Sequence, residues 1–214
     1  MNTYALIPMK RLGNSKTRIS NISPEARKRL TKVMLTDVVQ STLEAKSISE
    51  TFVMSPDHEI IKLAEKLGAK TILEKDERGL NVAVSEGTGE LEKRGAEGLM
   101  VILGDLPLLT SHLLDLLIKK AISRPWVVIV PSKDNGTNIL LRAPPSIIPH
   151  VFYGKNSSNI HVRIARYFHV SYTVFRSPRL MIDIDTSQDL ALIKKYETEK
   201  QTHTFQLLNQ LKLL

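Results

Sequence analysis

Leu99-Met100-Val101-Ile102-Leu103, followed by Gly104-Asp105-Leu106-Pro107, is the stretch on which the fold turns. Five apolar residues run on without the polar alternation of a half-solvated strand. Such a run suits a strand buried on both faces, at the centre of a parallel sheet. It ends abruptly on a glycine, a carboxylate and a proline that turns the chain away.

Working outward, the same grammar repeats. Residues 3–8, 51–55, 70–73 and 126–131 read as strands, and 138–142, 171–176 and 180–184 as strand-like. Helices fall between them. Ser23 followed by Pro24 is a good helix start, because serine caps and proline fits the first turn. That helix runs to about Lys46, with Leu30, Val33, Met34, Val38 and Leu43 near helical spacing. Residues 57–67 read as a helix closed by Gly68. Residues 79–94 read as another, weakened by Gly87 and Gly89. Further helices are predicted over 110–123, 158–168, 186–195 and 202–214. Strands alternating with helices predict an α/β fold, a single domain over residues 1–214 with a mostly parallel sheet flanked by helices.

Composition bounds the rest. The chain has 214 residues, 42% hydrophobic and 24% charged, as ordinary globular proteins do. No run of about 18 apolar residues exists, so no membrane span is expected. The N-terminus lacks the basic-then-apolar build of a signal peptide. The absence of cysteine excludes disulfides and thiolate metal sites. Together these predict a cytoplasmic protein. The net charge of +8 suits a polyanionic partner, either nucleic acid or a nucleoside triphosphate. Few aromatics interleave with the basic residues, so a single-strand stacking platform is not expected.

In open α/β sheets, ligands sit beyond the carboxyl ends of the strands. Three segments fall there. Residues 9–18 bring Lys10, Lys16 and Arg18 beside Gly13, with no acid among residues 1–22. Lysine supplies a point charge and arginine a bidentate fork, both suited to phosphates. Asp105 follows the central run. Asp183 and Asp185, two apart, close the strand-like run 180–184 on one face. Asp185 also precedes Thr186, where an acid caps a helix, so one of the pair reads as structural and the other as a metal ligand. Carboxylates at two strand ends suit magnesium, a hard cation that prefers oxygen. Gly136-Thr137-Asn138 and Tyr153-Gly154-Lys155-Asn156-Ser157-Ser158 read as turns with a helix N-terminus, a common anion cradle. The six histidines show no metal spacing and no serine partner, so a hydrolytic triad is unsupported.

Taken together, these segments resemble the 2-phospho-L-lactate guanylyltransferase family of deazaflavin coenzyme biosynthesis. The matching pieces are Pro8-Met9-Lys10-Arg11-Leu12 with Ser15-Lys16-Thr17-Arg18, then Gly104-Asp105-Leu106-Pro107, then Gly136-Thr137-Asn138. They continue with Gly154-x-x-Ser157-x-x-x-His161 and end on Asp183-Ile184-Asp185-Thr186 with Asp189-Leu190. The resemblance implies a fold like the nucleotide-diphospho-sugar transferases. It implies transfer of GMP from GTP to 2-phospho-L-lactate or phosphoenolpyruvate. Lys10 then matches a lysine at the phosphates, and Asp105 and one of Asp183 and Asp185 match metal ligands. Thr137, Gly154 and Ser157 match positions that hold the acceptor acid. Asp134-Asn135-Gly136 replaces a more glycine-rich loop, and Lys155 stands where many members carry proline. Two rivals accompany this reading: a GTP- or CTP-using transferase with another acceptor, and a basic module that binds RNA without catalysis.

The last 13 residues add one more expectation. Phe205, Leu208 and Leu211 form a stripe, with Leu207 and Leu214 beside it. Either the chain's own core covers it, or a second subunit does, giving a homodimer. Membrane attachment is disfavoured, because Lys212 is the one fixed cation of residues 202–214.

Overall fold

The computed structural model describes residues 1–19, 22–120, 125–195 and 202–213. Seven strands form one sheet in the order β3-β2-β1-β4-β6-β5-β7. They are β1 Thr3–Pro8, β2 Glu50–Ser55, β3 Lys70–Leu73, β4 Gly98–Ile102, β5 Trp126–Pro131, β6 Thr137–Ala143 and β7 Ser171–Val174. The helices are α1 Pro24–Glu44, α2 His58–Leu67, α3 Leu80–Lys93, α4 Ser111–Lys119, α5 Ser157–Tyr167, α6 Ser187–Lys194 and α7 His203–Gln210. All pairings are parallel except those of β6, which runs antiparallel to both β4 and β5. The mostly parallel α/β sheet read from the sequence is therefore the one formed.

The central strands are buried over their whole length, as their unbroken apolar runs require. Ala5, Ile7, Met100 and Ile102 face one core; Tyr4, Leu6, Leu99 and Val101 face the other. Local signals hold where the chemistry is local. Ser23 accepts the Ala26 amide at 3.1 Å. Gly68 closes α2 at φ +96, a conformation that glycine adopts without a Cβ penalty. Gly87 does not break α3: a Cβ there would stand 2.7 Å from Leu6, so the missing side chain lets the helix lie close on β1.

One expectation needs correction. Residues 180–184 form no strand: 178–181 turn and 182–185 are irregular. Leu180, Ile182 and Ile184 are buried because the segment crosses the end of the sheet and plugs apolar clusters there. Alternating burial therefore mimics a strand that no neighbour pairs. The terminal stripe is covered by the chain itself. Leu207 and Leu208 pack with Leu30 and Met34 of α1 and with Ile193 of α6. Of the two covers expected for the stripe, the chain's own core is the one formed for these residues. The predicted ends at 121–123, 198–201 and Leu214 lie outside the described residues. No described helix is long and apolar enough to cross a membrane.

Candidate active site

The carboxyl ends of β1 and β4 open into a cavity of about 330 Å³, lined by Lys10, Lys16, Glu74, Gly79, Asp105 and Asp185 among others. The loop after β1 turns back on itself through Lys16, whose φ of +55 is unusual for a residue with a side chain. That turn carries the ammonium inward. Lys16 Nζ lies 2.6 Å from Asp105 Oδ2 and 3.0 Å from Asp185 Oδ1. Arg18 pairs with the other oxygen of Asp185. Lys10 stays exposed on the cavity wall, yet it acts electrostatically on Asp185.

Asp105, Asp183 and Asp185 gather with one oxygen each within 4.8 Å of the others. Burial pushes the Asp183 carboxyl up, and the neighbouring Asp105 and Asp185 push it further. Burial also acts against the Asp185 carboxylate, but Lys16, Arg18 and Lys10 outweigh it and hold its pKa below the usual range. Burial weakens the Lys16 ammonium, while Asp105 and Asp185 more than compensate and raise it. Oδ1 of Asp105 and Oδ1 of Asp183 are buried without any hydrogen-bond partner. Two orphaned hard oxygens in a cluster of three carboxylates suit a divalent cation.

Asp185 does not cap α6, because another acid does the capping. Oδ2 of the buried Asp189 accepts the Asp185 amide at 2.9 Å and the Thr186 amide at 2.7 Å, along with the Thr186 hydroxyl. Lys133 pairs with its other oxygen. Of the two roles left open for Asp185, capping α6 thus falls to Asp189.

The antiparallel course of β6 brings the second group alongside. Ile102 pairs with Ile139, and the Leu103 amide donates to Asn138 O at 3.0 Å. The start of β6 therefore lies beside the end of β4, two residues from Asp105. There Thr137 Oγ1 and Ser157 Oγ are 2.9 Å apart. Gly154, at φ +140, shapes the loop that delivers Ser157, and its carbonyl accepts the Ser157 amide. Asn81 at the start of α3 holds this loop by both backbone groups of Tyr153, at 2.6 and 3.2 Å.

The chain matches the family described as "Guanylyl transferase CofC like" over residues 3–213. It belongs to that family. A phosphoenolpyruvate guanylyltransferase from Rubrobacter xylanophilus is 33% identical over 91% of this chain and 94% of its own. A 2-phospho-L-lactate guanylyltransferase from Methanothermobacter thermautotrophicus is 33% identical over 90% of this chain and 84% of its own. Among solved structures, a putative nucleotide-diphospho-sugar transferase from Desulfovibrio desulfuricans superposes with TM-score 0.78 at 16% identity, covering 99% of this chain and 96% of its own. That likeness establishes the fold.

The protein is therefore a guanylyltransferase, and a non-catalytic RNA-binding role is set aside. Of the residues singled out by sequence, Lys16, Arg18, Asp105, Asp183 and Asp185 form one cluster, Lys10 stands on its wall, and Thr137, Gly154 and Ser157 form a neighbouring group. Beside these the structure brings together a buried set: His161 and Tyr153 of the quoted motifs, and Arg142, which no motif contains. Arg142 donates to Thr88 Oγ1 at 2.9 Å, while its Nε and the Tyr153 hydroxyl have no partner. Spacing carries no signal that these three meet, since they do so through the packing of α3, α5 and β6.

Proposed function

We propose that this guanylyltransferase transfers GMP from GTP to a small phosphorylated acid, 2-phospho-L-lactate or phosphoenolpyruvate, releasing pyrophosphate. The products of this reaction feed deazaflavin coenzyme biosynthesis, in the cytoplasm, and the whole chain acts as one nucleotidyltransferase domain. The activities of the named relatives support the reading. The observation that carries it is the cluster of Lys16 and Arg18 against three carboxylates, with a hydroxyl pair two residues away along the paired strand.

An acceptor phosphate oxygen attacks the α-phosphorus of GTP. The bond to the bridging oxygen of pyrophosphate breaks as the new one forms. The nucleophile is ionised near neutrality, because a second phosphate pKa lies near about 6. No general base is required, in keeping with a histidine, His161, that touches no carboxylate among the described residues. Lys10, Lys16 and Arg18 neutralise charge gathering on the α-phosphate and the leaving group. Asp105 with Asp183 or Asp185 would hold magnesium, which would supply charge neutralisation when bound. Thr137, Ser157 and the Gly154 turn hold the acceptor. Glu74 and Glu77 also line the cavity. Guanine offers adjacent donors, N1–H and the 2-amino group, which suit a carboxylate.

The deciding experiment is a pyrophosphate-release assay with all four triphosphates crossed with several phosphorylated acids. GTP with one of the two named acids should dominate. Equal turnover with CTP and a sugar acid would reject the reading.

A further inference from the structure

His161 is buried, with no exposed surface, and both of its ring nitrogens are engaged. The Phe152 amide donates to Nε2 at 3.2 Å. A backbone N–H has no lone pair to offer, so Nε2 must carry one, and the ring proton belongs on Nδ1. Nδ1 lies 3.0 Å from Thr137 Oγ1, and Thr137 Oγ1 lies 2.9 Å from Ser157 Oγ.

Counting hydrogens gives the consequence. The imidazole, the threonine and the serine together own three. With the proton on Nδ1, the ring donates to Thr137, one hydroxyl hydrogen joins the two hydroxyls, and one hydroxyl hydrogen is left over. With the opposite tautomer, Thr137 donates to the ring and Ser157 donates to Thr137, so only lone pairs remain. Lone pairs repel an anion; a free hydroxyl hydrogen binds it.

We infer that His161 is a positioning residue whose fixed tautomer makes the Thr137–Ser157 pair a hydrogen-bond donor toward an anionic group of the acceptor. The inference rests on the placement of the acceptor at Thr137 and Ser157. The surroundings favour a ring that stays neutral: burial, and then the nearby Arg142 guanidinium, pull its pKa down to about 4. Tyr153 packs edge-on against the ring at 5.7 Å and adds no charge, since burial pushes its phenol pKa up.

The test has two arms. Nitrogen-15 NMR of the imidazole in the wild-type protein should show the proton on Nδ1; a proton on Nε2 overturns the inference. His161→Leu leaves the two hydroxyls one free hydrogen but nothing that fixes its direction, so the acceptor KM should rise about threefold, with GTP affinity and kcat little changed. His161→Asn, whose amide can donate toward Thr137, should recover part of that loss. Thermal unfolding with and without GTP checks that each variant is folded. Ser157→Ala serves as reference. If Ser157→Ala raises the acceptor KM and His161→Leu does not, the inference fails and the acceptor placement stands. If neither changes it, both fail together.

Discussion

Nζ of Lys16 lies 2.6 Å from Oδ2 of Asp105, so a buried ammonium already stands among the carboxylates that would hold a divalent cation. Without it, Asp105, Asp183 and Asp185 would face one another within 4.8 Å with no cation between them but the exposed Arg18. Lys16→Met should therefore lower the melting temperature in the absence of divalent ions. Added magnesium should then raise it by more than in the wild type, while kcat/KM falls about a hundredfold. A magnesium-induced rise equal to that of the wild type would mean that Lys16 and the metal do not share these carboxylates.

Asp105 tests the same cluster from the other side. Its Oδ1 is buried without a partner, so the carboxylate serves the core poorly and a cation well. Asp105→Asn should abolish turnover and magnesium binding by calorimetry while leaving the circular dichroism spectrum unchanged. Near-wild-type activity at limiting magnesium would remove Asp105 from the site.

Parts of this site are legible in the chain. The run 99–103 declares a doubly buried strand, and a carboxylate at its end falls where α/β sheets bind ligands. Ser23-Pro24 and Gly68 declare helix ends, because capping is a contact between near neighbours. What the sequence hides is long-range. Lys16 meets Asp105 and Asp185 across the loops of three elements, so the two charge groups read as separate features. Residues 180–184 imitate a strand because burial against two clusters also produces alternation. Asp189 takes over the cap that Asp185 seemed suited to fill. His161 acquires its meaning from an amide nine residues upstream and a hydroxyl on a distant strand.

Base choice can be read at Glu74. Burial, then Glu86 and Glu77, raise its carboxyl pKa above the usual range. Asn14 and Arg11 engage Glu77, and Arg78 pairs with Glu86, while Glu74 has no ion pair among the described residues. A carboxylate in this position gains when it meets the donor edge of guanine. Glu74→Gln should weaken GTP binding about tenfold and ITP binding less, because ITP lacks the 2-amino donor. Equal losses for the two nucleotides would detach Glu74 from the base.

His161 also sets a pH dependence. Its pKa of about 4 in the folded chain lies below the ordinary 6.5, so the unfolded chain binds the extra proton first. Its contribution to stability is complete above about pH 6.5 and is lost as pH falls toward about 4. The amount is roughly 3 kcal/mol from the linkage relation. His161→Leu should flatten the urea-unfolding free energy across that window. A variant that follows the wild-type slope there would locate the acid sensitivity elsewhere.

Asp37 ties α7 to α1, and this decides what the terminal helix does. Its two oxygens accept the His203 amide at 2.9 Å, the Thr204 amide at 2.9 Å and the Thr204 hydroxyl at 2.6 Å, with His203 Nδ1 at 2.8 Å. A carboxylate on α1 thus serves the first turn of α7, where unpaired amides and the helix dipole favour negative charge. Below it, Leu207 and Leu208 close the apolar cluster of Leu30, Met34 and Ile193. Asp37→Ala should cost about 2 kcal/mol. That lowers the melting temperature by roughly 5 °C. A chain ending at Glu199 should fare worse, because it uncovers the apolar face of α1 rather than freeing a docking surface. Light scattering should then show aggregation. A monomeric, fully active truncated protein, paired with a dimeric full-length one, would restore α7 as a subunit interface.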